Sequence, residues 1–113
     1  MPLTNVLYVD DDKDWRNKTR TDFQERKLAP RIDISANRDS GVRKIRSTYY
    51  DLIVVDGLEG ECFNLIDAVV ETPHGPIVIF SSDVAVMAKA RNLGIPFYMK
   101  PDGLAKIVRD YKK

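Results

Sequence analysis

The sequence predicts an α/β domain: a doubly wound, five-stranded parallel sheet with helices on both faces. Three observations predict it. Four short apolar runs, Val6-Leu7-Tyr8-Val9, Leu52-Ile53-Val54-Val55, Ile77-Val78-Ile79-Phe80 and Pro96-Phe97-Tyr98-Met99, are rich in β-branched and aromatic residues and bounded by turn formers. Such runs read as strands buried on both faces. Segments with helical spacing of apolar residues alternate with them, and the connections are short. Strict strand-helix alternation with short connections gives a parallel sheet covered on both sides.

Strand 1 spans about residues 5–9. Helix 1 follows over about 13–27, with Trp15, Thr19 and Phe23 on one face and Asp12 as N-cap. Ala29-Pro30 closes that unit. Arg31-Ile32-Asp33-Ile34-Ser35 alternates polar and apolar residues, which suits an edge strand. Helix 2 covers about 39–48, with Val42, Ile45 and Tyr49 inward, and strand 3 about 51–55. Helix 3 covers about 61–71 and carries Phe63, Ile66 and Val70; Thr72-Pro73-His74-Gly75-Pro76 breaks it. Strand 4 is 77–80, and helix 4, about 83–93, is stopped by Gly94, a C′ residue. Strand 5 is 96–99, and helix 5 covers about 102–111, with Leu104, Ile107, Val108 and Tyr111 facing the sheet. With strand 2 at an edge the order is 2-1-3-4-5, whose topological switch point lies between strands 1 and 3.

Bulk properties narrow the function. The 113 residues suffice for one domain, 1–113, with one core. Net charge is +1, so no global field draws the chain to nucleic acid or an anionic membrane. The lone Cys62 excludes an internal disulfide and a Cys-based zinc site, and is expected to pack as a small hydrophobe. His74 has no second ligand at metal spacing and is expected to face solvent. No apolar stretch approaches the roughly 20 residues that span a bilayer. Met1-Pro2-Leu3-Thr4-Asn5 has no signal-peptide pattern, so a cytoplasmic protein is expected.

Each of the four apolar runs ends on a residue suited to phosphoryl chemistry: Asp10-Asp11-Asp12, Asp56, Ser81 and Lys100. Open parallel sheets bind ligands outside the carboxyl ends of their strands, so the fold gathers these groups into one pocket. Carboxylates brought that close repel; one is protonated or a divalent cation neutralises them. Mg²⁺ takes few carboxylates and keeps waters, ready for phosphate oxygens. An Asp facing it is a nucleophile for an aspartyl-phosphate. Lys100 would pair with phosphoryl oxygens, and Ser81 would donate its hydroxyl. Each residue also has a plain structural role: first-turn acids, a turn residue, helix caps. Their joint occurrence at strand ends favours the functional one.

These residues resemble the receiver domain of two-component response regulators, a (βα)5 flavodoxin-like fold. The resemblance covers essentially the whole chain. It rests on Val9-Asp10-Asp11, Asp51-Leu52-Ile53-Val54-Val55-Asp56, Pro76-Ile77-Val78-Ile79-Phe80-Ser81 and Met99-Lys100-Pro101. It implies Asp56 as phosphoacceptor. It implies Mg²⁺ held by Asp10, Asp11, Asp56 and the Leu58 backbone carbonyl. Ser81 takes the place of the switch hydroxyl and Phe97 that of the aromatic switch. Lys100 takes the place of the phosphate-contacting lysine, whose bond to proline is cis in the family. The implied phosphodonor is a histidine kinase, a phosphotransfer protein or a small acyl phosphate, and slow hydrolysis follows. The implied output is altered binding of a downstream protein through the helix 4-strand 5-helix 5 face, where Tyr98, Tyr111 and Lys112 lie. That face also allows a weak homodimer. No nucleic-acid or membrane partner is implied.

Gly57-Leu58-Glu59-Gly60-Glu61 departs from the family pattern, and the stretch from Asp56 to Pro76 is short for it. In the family the positions of Leu58 and Asp83 tune attack by water; Asp83 is able to hydrogen-bond one and Leu58 is not. The sequence ends at Lys113, just after helix 5, and a stand-alone phospho-switch without an output domain is expected. Two other readings stay open. One is a receiver used as a phosphorylation-independent interaction module. The other is a haloacid-dehalogenase-type phosphatase with Asp10 as nucleophile, which leaves Asp56 without a role. Trp15 is read as core packing near the acidic cluster and as a fluorescence reporter.

Overall fold

The computed structural model describes residues 2–112. Five parallel strands, β1 (Asn5–Val9), β2 (Arg31–Ser35), β3 (Leu52–Val55), β4 (Ile77–Ser81) and β5 (Phe97–Met99), form one sheet in the order β2-β1-β3-β4-β5. Helices α1 (Lys13–Glu25), α2 (Arg38–Ser47), α3 (Cys62–Ala68), α4 (Val84–Leu93) and α5 (Gly103–Tyr111) alternate with them. The anticipated fold class and strand order therefore stand.

Period-2 alternation divides the core in two. Leu7, Val9, Ile53, Val55 and Ile79 point to the face covered by α2, α3 and α4, where Val42, Ile45, Leu65 and Val86 meet them. Val6, Tyr8, Leu52, Val54, Val78 and Phe80 point to the face covered by α1 and α5, against Phe23, Leu104, Ile107 and Val108. Val6–Val9, Leu52–Val55 and Val78–Phe80 of the central strands are all buried, as their apolar runs require.

Local chemistry sets the boundaries. Asp12 caps α1, its carboxylate accepting from the N–H groups of Asp14 (2.8 Å) and Trp15 (3.2 Å). The helix stops at Glu25, two residues before the expected end. Lys27 turns left-handed (φ 56°), and the Leu28 amide reaches back to the Phe23 carbonyl (3.0 Å). Asp83, outside the helix, caps α4, and Gly94 closes it at φ 71°.

One inward assignment and the extent of one helix are corrected. Helix α2 ends at Ser47 and Thr48 is extended, so helical spacing no longer applies beyond it. Tyr49 is exposed, and Tyr50 turns inward instead, its hydroxyl donating to Asp33 (2.6 Å). Helix α3 covers Cys62–Ala68 rather than 61–71: a 3₁₀ turn over Leu58–Gly60 precedes it, and past Ala68 the Val69, Val70 and Thr72 amides bond three residues back, to Ile66, Asp67 and Val69, in a run of turns. Cys62, Phe63, Leu65 and Val69 are buried, Ile66 is half-buried, and Val70, beyond the helix end, is exposed. His74 is half-buried, its Nδ1 against the Gly75 carbonyl.

Candidate functional site

The parallel ladders run one residue past the strands. The Asp10 amide donates to the Ser35 carbonyl (3.0 Å), Asp56 to Val9 (2.8 Å) and Lys100 to Ser81 (3.0 Å). Val9 pairs with Val55, so Asp10 and Asp56 stand abreast at the carboxyl edge, at the switch point of the sheet. One carboxylate oxygen each from Asp10, Asp11 and Asp56 lies within 4.8 Å of the others.

Lys100 closes the cluster. Its ammonium donates to Asp10 Oδ2 (3.0 Å) and Asp56 Oδ1 (2.8 Å). The side chains are 8% (Lys100), 1% (Asp10) and 15% (Asp56) exposed, so Asp56 is the more reachable carboxylate of the pair. The same ammonium lies 4.4 Å from the centre of the Trp15 indole and 5.5 Å from that of the Phe80 ring. Trp15 is held there edge-on to Phe80, ring centres 5.8 Å apart. Arg16 donates to the Asp10 carbonyl (2.9 Å).

Three carboxylates against one ammonium leave two negative charges, the deficit a divalent cation fills. The donor set is all oxygen, which suits a hard divalent cation. Asp11 registers the crowding. Partial desolvation, then the charges of Asp56 and Asp10, raise its carboxyl above the ordinary range. Cys62 lies nearby, but burial pushes its thiol up to about 11, so it is no nucleophile near neutral pH.

The loop after Asp56 is tightly wound. The Leu58 amide donates back to Asp56 Oδ2 (3.1 Å), while the Leu58 carbonyl accepts from the Glu61 amide (3.0 Å). Leu58, Glu59 and Gly60 all have positive φ, at 50°, 55° and 93°. Leu58 is thus beside the cluster, with one carbonyl lone pair engaged in the turn.

Ser81 is on the opposite face of the sheet from the Lys100 pair, the face of Ile79 and Val86. It is buried, and its hydroxyl accepts from the Asp83 amide (3.0 Å). Phe97, paired with Ile79, is half-buried on that same face. Lys100-Pro101 is a cis peptide.

Two participants escape sequence inspection. Tyr8, buried in β1, donates its hydroxyl to Asp10 Oδ2. The signal was there: residues i and i+2 of a strand share a face. Gly57 packs directly against the Ser81 hydroxyl, a contact between β3 and β4 ends that spacing alone does not reveal.

No family model matches the chain, and no curated protein is significantly similar to it. Solved structures are. The receiver domain of the Francisella response regulator 1452 aligns with a TM-score of 0.77 at 21% identity, covering 96% of this chain and 93% of its own. The chemotaxis response regulator CheY4 of Vibrio cholerae gives 0.76 at 19% identity, covering 96% and 98%. The receiver domain of NtrC4 from Aquifex aeolicus gives 0.76 at 22%, covering 96% and 93%. The chain has the receiver fold. A de novo designed Rossmann 2x3 protein also reaches 0.70 at 19% identity, so the scaffold by itself implies no chemistry.

Proposed function

We propose that residues 1–113 form a receiver domain that accepts a phosphoryl group on Asp56 in a Mg²⁺-dependent reaction and thereby switches the binding of a protein partner. One observation carries this reading: a single buried ammonium, Lys100, is shared between Asp10 and Asp56 beside Asp11. The chemistry follows from that arrangement rather than from the scaffold.

Asp10, Asp11 and Asp56 would hold Mg²⁺, with the Leu58 carbonyl contributing the lone pair that Glu61 leaves free. When bound, the ion neutralises the phosphoryl oxygens and screens the acceptor from them. An Asp56 oxygen attacks phosphorus. The phosphorus–nitrogen bond of a phosphohistidine breaks, and its electron pair leaves with the imidazole, which takes up a proton. The donor is a histidine kinase or phosphotransfer protein; a small acyl phosphate loses a carboxylate in the same way. Lys100 exchanges Asp56 for a phosphoryl oxygen. Ser81 gives up its contact with the Asp83 amide and donates its hydroxyl to the same group. Phe97, on the face Ser81 occupies, repacks with it.

Output passes through α4, β5 and α5. Val84, Leu93 and Met99 are exposed there, separate apolar side chains that a downstream protein or a second copy would contact. Tyr98 is tied to α5 through Asp110 (2.7 Å) and stacks edge-on with Tyr111. Among the described residues no helix is long and apolar enough to cross a membrane; a cytoplasmic setting fits the reading. Asp10 is an unsuitable nucleophile, since Tyr8, Lys100 and the Asp12 amide all donate to its carboxylate. That weighs against a phosphatase built on it. A phosphorylation-independent docking module is the second reading, favoured by the strained turn at Leu58–Gly60.

Amide NMR with Mg²⁺ and then beryllofluoride, on wild type and Asp56→Asn, tests this. Shifts around Asp11 and Asp56 with Mg²⁺, then of Ser81, Phe97 and Lys100 with beryllofluoride in wild type only, are expected. A silent site in both proteins leaves the docking module.

A further inference from the structure

Tyr8 is fully buried in β1, its ring packed on Phe23 and Phe80 with centres 6.5 and 6.4 Å away. A phenylalanine would fill that space equally well. The hydroxyl is what needs explaining, because a buried phenol without a partner costs free energy. Its partner is Asp10 Oδ2, the oxygen that also accepts from Lys100. The other oxygen, Oδ1, accepts from the Asp12 amide (2.9 Å). Three donors thus fix the rotation of a buried carboxylate.

We infer that Tyr8 is a positioning residue for the acidic site: its hydroxyl locks the Asp10 carboxylate so that Lys100 stands between Asp10 and Asp56. This rests on the receiver reading for its consequence but not for its geometry. Sharing Oδ2 with Tyr8 keeps Lys100 from closing on Asp10 alone, which leaves its second hydrogen bond for Asp56 (2.8 Å). The Trp15 and Phe80 rings also lie against this ammonium. Without the hydroxyl, Asp10 turns about its Cβ–Cγ bond, Lys100 follows it, and a prospective cation ligand loses its fixed orientation. Outer-shell donors of this kind typically cost about tenfold or more in metal affinity when removed.

The experiment compares wild type, Tyr8→Phe and Phe23→Leu. Phe23→Leu disturbs the packing of the Tyr8 ring and spares its hydroxyl, so it reports what a merely structural role would do. In metal-free protein, the Asp10 ¹³Cγ and Lys100 ¹⁵Nζ resonances are expected to move in Tyr8→Phe and to stay in Phe23→Leu. Mg²⁺ titration is expected to be about tenfold weaker in Tyr8→Phe alone. Unmoved resonances, with Mg²⁺ affinity within about twofold of wild type, would show that the hydroxyl only packs, and the receiver reading would stand. Resonances that move in Tyr8→Phe, together with a wild type that ignores Mg²⁺, would keep the positioning geometry and remove the receiver chemistry.

Discussion

A Cβ added to Gly57 would stand 2.8 Å from the Ser81 hydroxyl oxygen and 3.3 Å from Val86 Cγ2. The backbone of Gly57 (φ −58°, ψ −28°) is open to any residue, so space and not conformation requires glycine. The slot holds Ser81 with its hydroxyl turned to the Asp83 amide. Gly57→Ala is expected to keep the fold at a cost of about 1–3 kcal/mol, the usual penalty of overpacking. It should also stop beryllofluoride from moving the Ser81 and Phe97 amides. Urea denaturation of Gly57→Ala in a Ser81→Ala background checks the cause: removing the hydroxyl should recover most of the loss.

Lys100→Met leaves the Asp10 and Asp56 carboxylates facing each other without their shared cation. Both side chains are largely buried, at 1% and 15% exposed, so water screens them little. Breaking such a pair costs about 3–5 kcal/mol. A divalent cation would replace the lost charge, so Mg²⁺ should stabilise the variant more than wild type. Thermal melts of both proteins with and without Mg²⁺ decide it. Equal Mg²⁺ shifts would mean that charge does not link Lys100 to the metal site.

The raised Asp11 carboxyl gives a sign opposite to that of an ordinary ion-paired aspartate. Its folded pKa lies above the usual 3.8, so the folded state binds its proton more readily than the unfolded one. Asp11 therefore weakens the metal-free fold at any pH above its folded pKa, and acidification through that pKa relieves the cost. Mg²⁺ needs the ionised form, so its affinity falls over the same window. Asp11→Asn should stabilise the metal-free protein near neutral pH by about 0.5–1 kcal/mol, small because the group is exposed. The same change should weaken Mg²⁺ binding. Chemical denaturation and Mg²⁺ titration over a pH series that begins below the ordinary Asp value of 3.8 and rises to neutrality separate the two effects.

Parity along the strands explains why the sheet was legible in the sequence. Val6 and Tyr8, Leu52 and Val54, and Val78 and Phe80 fall on one face, and their odd-numbered neighbours Leu7, Ile53 and Ile79 on the other. Period 2 then carries Asp10 and Asp56 to the α1–α5 face and Ser81 to the opposite one. Asp12 and Gly94 were readable because capping depends on one residue's own chemistry. Tyr49 and Val70 were not, because each lies past a helix end that only the loop conformation fixes. The Leu58–Gly60 turn has two non-glycine residues at positive φ, which no local propensity predicts. The Trp15 contact with Lys100 joins residues far apart in the chain and depends on where α1 lands on the sheet.

That contact makes Trp15 a direct probe of the lysine. The Lys100 ammonium lies 4.4 Å from the indole centre, and the Lys18 ammonium flanks the same ring at 4.8 Å. Trp15 is the one tryptophan in the sequence, so its emission reports this site without interference. Lys100 is anchored by two carboxylates, and the indole adds an attraction of about 0.5–2 kcal/mol. If a phosphoryl group draws Lys100 off Asp56, the charge over the ring shifts and the emission changes. Beryllofluoride with Mg²⁺ should therefore alter Trp15 fluorescence in wild type and leave it unchanged in Lys100→Met. Lys18→Met should keep the response, because Lys18 touches the ring but neither carboxylate of the pair. A response that survives Lys100→Met and disappears in Lys18→Met would instead place the moving charge on α1, away from the acidic cluster.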